Sequence, residues 1–294
     1  MSGTGLTTTS QLTNTLPKFI EEARLTLSQI GAVKNAVTTT PLKKGAGLTL
    51  NIPTWDQPTA YTLSEGVDMQ QAQRISDTNV AITVAENAGV QVLFTRLAMY
   101  SIREDAIRMA ARQMANAVEN KRGDDLVTLL DGFSTALGTA GTSLSIGHLM
   151  AGKVRIQTAT RPPEGPIHAV LHPYQLHALY SDLAGLSSGA VTYPDNGNSS
   201  LSTDILKNYE QMDVAGVRIF SDPLIPADGS DDGKGGIFAK AALIYVPYDD
   251  ETIEDEYDPS ARATEINMVA TYGYGEYEDT WGFEMLFDQA SPGS

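Results

Sequence analysis

Residues 101–130 read SIREDAIRMAARQMANAVENKRGDDLVTLL, and no other stretch says as much about the fold. Ser101 and Glu104 form an S-x-x-E capping box, in which the two side chains satisfy free amide groups at a helix start. Ile107, Ala111, Met114, Val118, Leu126 and Leu129 follow at helical spacing. Gly123 is a weak point, but the pattern resumes on both sides of it. Continuous to about Leu130, roughly 28 residues would span about 42 Å at the rise of an α-helix. That is long for a globular helix and suits a spine.

On the N-terminal side the texture changes to β. Leu48, Leu50 and Ile52 alternate with Thr49 and Asn51 until Pro53 stops the run, and residues 61–63 read as a second short strand. Gly45, Gly47, Pro58 and Gly66 surround them, and a polar stretch fills 68–77. A two-stranded excursion cannot bury a core of its own, so it should project from the body and be stabilised by a neighbour. Residues 79–96 return to β character through Val80, Ile82 and Val84, then Val90, Val92 and Phe94, with Gly89 between them as a turn or bulge. Further upstream, Leu16, Phe19, Ile20, Ala23, Leu27 and Ile30 predict an amphipathic helix over 16–33, ended by Gly31. The first 15 residues read as a mobile arm.

On the C-terminal side helices and strands mix without regular alternation. Helices are expected over 147–159 and, opened by Pro173, over 174–184. Strands are expected at 167–171, 217–220, 241–246, 265–272 and 281–286, and loops at 186–200 and 227–236. This is an α+β chain rather than a doubly wound one.

Composition narrows the function. The chain is 41% hydrophobic and 19% charged, as in ordinary folded proteins. It has no apolar run of the roughly 20 residues that span a bilayer, and no secretion signal, so no membrane partner is expected. Cysteine is absent, which excludes disulfides, thiolate metal sites and cysteine nucleophiles. Residues 1–130 hold 12 basic and 12 acidic side chains, whereas 131–294 hold 8 and 24 and supply the whole net charge of −16. An acidic half of this kind repels phosphate backbones and argues against nucleic-acid recognition.

The motifs that carry chemistry are missing. There is no G-x-S-x-G, phosphate-cradling glycine loop, H-E-x-x-H or G-x-G-x-x-G, and Gly273-Tyr274-Gly275 reads as a turn between strands. His168, His172 and His177 lie close in sequence, but Pro173 separates them and they read as edge or surface histidines. Asp228, Ser230, Asp232 and Gly233 match the first half of a calcium loop. The closing position is Ala239 rather than a glutamate, so a solvated acidic turn is the simpler reading. Seven acids between Asp249 and Asp258 read as a solvated loop. No catalytic residue, cofactor or metal site is expected.

The order of elements resembles the major capsid proteins of tailed phages, whose fold is named for bacteriophage Hong Kong 97 and shared with encapsulins. Short stretches are similar too. They are Leu63-Ser64-Glu65-Gly66, Gly89-Val90-Gln91-Val92 before Thr95, Ala169-Val170-Leu171-His172-Pro173, and Gly216-Val217-Arg218-Ile219-Phe220 before Ser221-Asp222-Pro223. The resemblance implies an N-terminal arm with a short helix (1–37) and a projecting two-stranded loop, the E-loop (38–78). It also implies a peripheral domain with the spine helix (79–131, plus a strand near 259–275) and an axial domain (132–258 and 276–294). Loop residues Trp55, Tyr61, Glu65 and Arg74 would then contact a neighbouring subunit. The implied partners are copies of the chain in hexamers and pentamers, a separate scaffolding protein and a portal, around DNA held without sequence-specific recognition. The implied location is the virion, after synthesis in the host cytoplasm. An arm this short is expected to go with a separate scaffolding protein or none. Two alternatives stay open: an encapsulin shell, and a metal-dependent hydrolase in which Asp228, Asp232 or the 249–258 acids converge with a histidine.

Overall fold

The computed structural model of the protein describes residues 32–45, 47–62, 65–66, 68–69, 72–95, 104–188 and 212–292. The helix expected before Ala32, the Ser101 end of the capping box and residues 189–200 of an expected loop lie outside these residues. Along the chain come α1 (Ala32–Ala36), β1 (Thr38–Thr39), β2 (Thr49–Trp55), β3 (Asp77–Thr83), β4 (Ala85–Thr95) and the long α2 (Glu104–Thr128). Then follow β5 (Ala136–Leu137), α3 (Ile146–Gln157), β6 (Ile167–Leu171), α4 (Pro173–Ser188), β7 (Met212–Val214) and β8 (Val217–Ser221). The chain closes with β9 (Asp232–Ala239), β10 (Leu243–Asp258), β11 (Ala263–Glu276) and β12 (Gly282–Asp288).

Helix α2 is the expected spine, 25 residues and about 38 Å long. Gly123 does not weaken it. A Cβ at that position would stand 2.3 Å from Leu224 Cδ1, so the glycine is a seat for a side chain arriving from a remote loop. The apolar stripe of α2, with Ala111, Met114, Ala115, Val118 and Leu126, packs on a four-stranded sheet of order β1-β10-β11-β4. From that sheet Phe94, Ile266, Met268, Ala270 and Tyr272 complete the core.

Charge is buried in the same interface. Arg122 is held between Glu119 at 2.6 Å and Glu251 of β10 at 2.7 Å, with all three side chains largely shielded from water. Its guanidinium lies 5.5 Å from the centre of the Tyr272 ring, and the Tyr272 hydroxyl donates to Asp125 at 2.7 Å. Burial pushes the Glu119 carboxyl above its usual range, while Arg122 and then Lys34 of α1 pull it back. Four elements therefore meet on one ionic cluster.

The second sheet has six strands in the order β5-β12-β9-β6-β8-β7. Strand β6 is buried at every position, because both faces of the sheet are covered. Ile167, Ala169 and Leu171 face a core with Leu149 and Ile156 of α3 and Leu176 and Leu179 of α4. His168 and Val170 point the other way, where His168 Nδ1 meets the Ala36 carbonyl of α1 at 2.8 Å.

Several sequence expectations are corrected here. The hairpin partner of β2 is β3, running to Thr83 beyond the expected loop boundary at 78, and Tyr61 and Thr62 are not strand. Local alternation cannot reveal a partner that lies across a long connection. Gly89 sits inside β4 opposite Val269, and the break between strands falls at Val84. The acidic run 249–258 is β10 rather than a loop. That strand, assigned to the axial domain, pairs with β11 along its length. Its charges hide an alternation in which Ile253 points to the core. Thr38 and Thr39 likewise join that sheet through β10 rather than the loop. Residues 232–236 begin β9 instead of continuing a loop. Gly273 and Gly275 lie inside β11 rather than in a turn.

The two sheets are joined through the chain from β11 to β12. There Ser134 donates to Asp279 from its backbone at 2.8 Å and also from its hydroxyl. Burial alone would raise the Asp279 carboxyl, but the bonds from Ser134 hold it below the usual range. Glu276 lies beside it with its Oε1 buried. Burial first, and the Asp279 charge second, push Glu276 up from 4.5 to about 7.

Two predictions come from this packing. Arg122→Ala strands two buried carboxylates and should cost about 3–5 kcal/mol in urea unfolding of the subunit; a loss below about 1 kcal/mol would refute the role given to it. Glu276 has its pKa raised in the folded state, so the unfolded chain loses that proton first as pH rises. The stability it contributes is complete below pH 4.5 and is lost by about pH 7. The melting temperature of wild type minus that of Glu276→Gln should fall across that window and level off above it; a flat difference would refute the assignment.

Candidate assembly interface

The β2–β3 hairpin has a buried base and an uncovered end. Leu50, Ile52, Val80 and Ile82 on one face pack with Val84, Ile244, Val246, Tyr248 and Tyr277. This small core depends on the two glycines of β11. A Cβ on Gly273 would stand 2.9 Å from the Thr83 carbonyl, and one on Gly275 would stand 3.0 Å from Ile82. Their hydrogens let the hairpin backbone lie directly on the sheet. Thr54 meets the Tyr277 hydroxyl at 3.3 Å, and Asp56 lies 3.6 Å from Arg161 of the body.

Beyond that point almost every described residue from Asp56 to Asn79 is exposed. Among the described residues, bonds within the connection brace it. Asp56 N–H donates to the Ser76 carbonyl at 3.0 Å, and the Gln73 amide accepts from Thr59 N–H at 2.7 Å while donating to its carbonyl. Trp55 is 61% exposed, Met69 71% and Ile75 57%. Large apolar side chains clustered this way on a segment without a core mark a contact surface.

The candidate residues fall on this segment. Trp55 ends β2 opposite Asp77, while Tyr61, Glu65 and Arg74 lie in the connection, Tyr61 partly buried and the other two exposed. Leu63 and Ser64 of the similar stretch lie outside the described residues.

The other candidate chemistry does not converge. Asp228 Oδ1 accepts from the backbone of Ser230 at 2.7 Å and of Asp232 at 3.0 Å, which holds its carboxyl below the usual range. Asp232 turns inward to accept from Gly141 N–H at 2.6 Å. These carboxylates thus serve backbone amides. His168 is buried and lowered by that burial, His172 stacks edge-on to Tyr174, and His177 is exposed on α4. Among the described residues no three His, Asp or Glu side chains gather as a metal-holding group. None of their helices is long and apolar enough to cross a membrane.

Sequence reasoning missed the ionic cluster under α2, although a signal was present. Arg122 and Asp125 fall four and seven residues after Val118, on the apolar stripe itself. It also missed that Gly273 and Gly275 seat the hairpin, for which no local signal exists.

The family model described as phage capsid protein matches residues 77–281, the greater part of the chain. No curated protein matches the sequence. Among solved structures, the head structure of Helicobacter pylori bacteriophage KHP40 is similar, with a TM-score of 0.65 at 11% identity over 88% of this chain and 89% of that one. The cyanophage Pam1 capsid gives 0.64 at 15% identity over 84% and 87%. Mycobacterium phage Che8 gives 0.61 at 18% identity over 87% and 90%. At such identities these likenesses speak for the fold, which is of the Hong Kong 97 type, while the family match speaks for kinship. On that match the chain belongs to the phage capsid protein family, as a major capsid protein of the tailed-phage type.

Proposed function

We propose that the subunit builds the head by laying residues 56–76 of its hairpin across the next copy, with Trp55, Tyr61, Glu65 and Arg74 at that contact. The observation that carries this reading is the exposure of Trp55, Met69 and Ile75 on a segment whose base is packed and whose end is not. A body that buries its own cores gains nothing by exposing a tryptophan, whereas a repeated lattice gains at every copy. Copies so joined would form the hexamers and pentamers of an icosahedral shell enclosing DNA. The net charge of −16 suits a container that does not trap its contents. A separate scaffolding protein and a portal would complete the head, made in the host cytoplasm.

Replacing residues 57–75 by a short Gly-Ser bridge tests this. The variant should keep the circular dichroism and nearly the melting temperature of the wild-type subunit, yet sediment without shells. Wild-type yields of shells would contradict the proposal. Trp55→Ala should remove about 2 kcal/mol at each contact, and so raise the protein concentration at which shells appear roughly 30-fold.

A further inference from the structure

Residues 277–281 connect β11 of the four-stranded sheet to β12 of the six-stranded one. Glu276 closes β11, and Asp279 opens a single 3-10 turn that delivers the chain to Gly282. The two side chains are hydrogen-bonded to each other, carboxyl to carboxyl. We propose that this pair is a proton-operated latch on the joint between the sheets: a proton held between Glu276 and Asp279 keeps the turn closed, and its loss releases the turn.

The geometry requires the proton. An ionised carboxylate offers acceptors only, so two carboxyl groups bond to each other only while one keeps its hydrogen. Asp279 is the partner that gives its proton up, because Ser134 donates to it from the backbone at 2.8 Å and also from the hydroxyl. Glu276 is the partner that keeps it. Its Oε1 is buried, and its Oε2 lies against Gly132, where a Cβ would stand 3.7 Å from it. Burial first, then the charges of Asp279 and Glu278, place its titration near neutrality, at about 7. Among the described residues, the cations on neighbouring elements answer to other groups. Lys234 of β9 pairs with Asp131 and Glu284, Arg161 faces Asp56, and Lys240 acts on His168. Once Glu276 is ionised, two like charges stand side by side with one of them partly out of water. Tyr277 and Trp281 ride on the same turn. The Tyr277 N–H donates to the Ala242 carbonyl at 2.8 Å, and the Trp281 ring N–H donates to the Arg161 carbonyl at 2.6 Å. Release of the turn therefore reads out at these two residues while both sheets stay folded. The latch belongs to one subunit and does not depend on shell formation.

Trp281 is the reporter. The chain has two tryptophans, so Trp55→Phe leaves Trp281 alone to emit. In dilute, unassembled full-length subunits its emission should move to longer wavelength as pH rises, with a midpoint near 7. Far-ultraviolet circular dichroism should stay constant across that change; its loss in step with the emission would overturn the proposal, since the whole chain would then be unfolding. Adding Glu276→Gln, whose amide donates to Asp279 at every pH, should hold the emission at its acid-side value. The same pH shift in that variant, or none in its parent, would contradict the latch. Adding Asp279→Asn instead removes the like charge and should lower the midpoint by at least about one pH unit; an unmoved midpoint would also contradict it. Hydrogen exchange needs no variant. Between about one unit below and one unit above the midpoint, the Tyr277 and Trp281 amides should lose at least about tenfold in protection after correction for intrinsic rates. Undiminished protection would overturn the proposal.

Discussion

The buried guanidinium of Arg122 constrains the rest of the structure. It is gripped by Glu119 from its own helix and by Glu251 from β10, and it covers the ring of Tyr272 in β11. Coulomb attraction in a shielded setting is strong, but so is the cost of taking charge out of water, so the net gain depends on every partner being in place. That requirement works as a register lock. Sliding α2 by one turn along the sheet would strand a buried cation and two carboxylates, whereas a purely apolar interface could slip and repack. With α2 fixed, Gly123 accepts Leu224 and the two sheets meet in one arrangement.

The long β10–β11 ribbon then distributes that rigidity. One end carries Tyr245 and Tyr272 under the spine, and Ile244 and Val246 form the floor on which the hairpin base rests. Gly273 and Gly275 set the hairpin's height above the sheet by allowing backbone contact. Among the described residues a packed body thus carries a hairpin whose end is poorly covered. Such a division suits a shell, where the body keeps its shape and the projection finds its packing on a neighbour. Each contact can be weak because it recurs over a closed surface.

Much of this was legible in the sequence where periodicity is local. The spine shows in Ala111, Met114 and Val118, and β6 shows in an apolar run followed by Pro173. What stayed hidden depends on partners far away in the chain. Gly123 looks like a defect until Leu224 is beside it, and Gly273-Tyr274-Gly275 looks like a turn until Ile82 lies on it. The acids of β10 mimic a loop because charge is a poor guide when only one face of a strand is buried. The proposed contact residues were a different case. Trp55 could be suspected of meeting a partner because an isolated hairpin has no core, but its exposure is a fact of the tertiary structure.

The central claim is that this chain is a shell subunit whose hairpin end packs on the next copy. Electron microscopy of the purified full-length protein, alone and with the products of neighbouring genes, tests it most directly. The account predicts closed icosahedral shells in which density for residues 56–76 crosses onto the adjacent subunit. A small stable oligomer under every condition, or shells in which that hairpin end faces solvent, would contradict it.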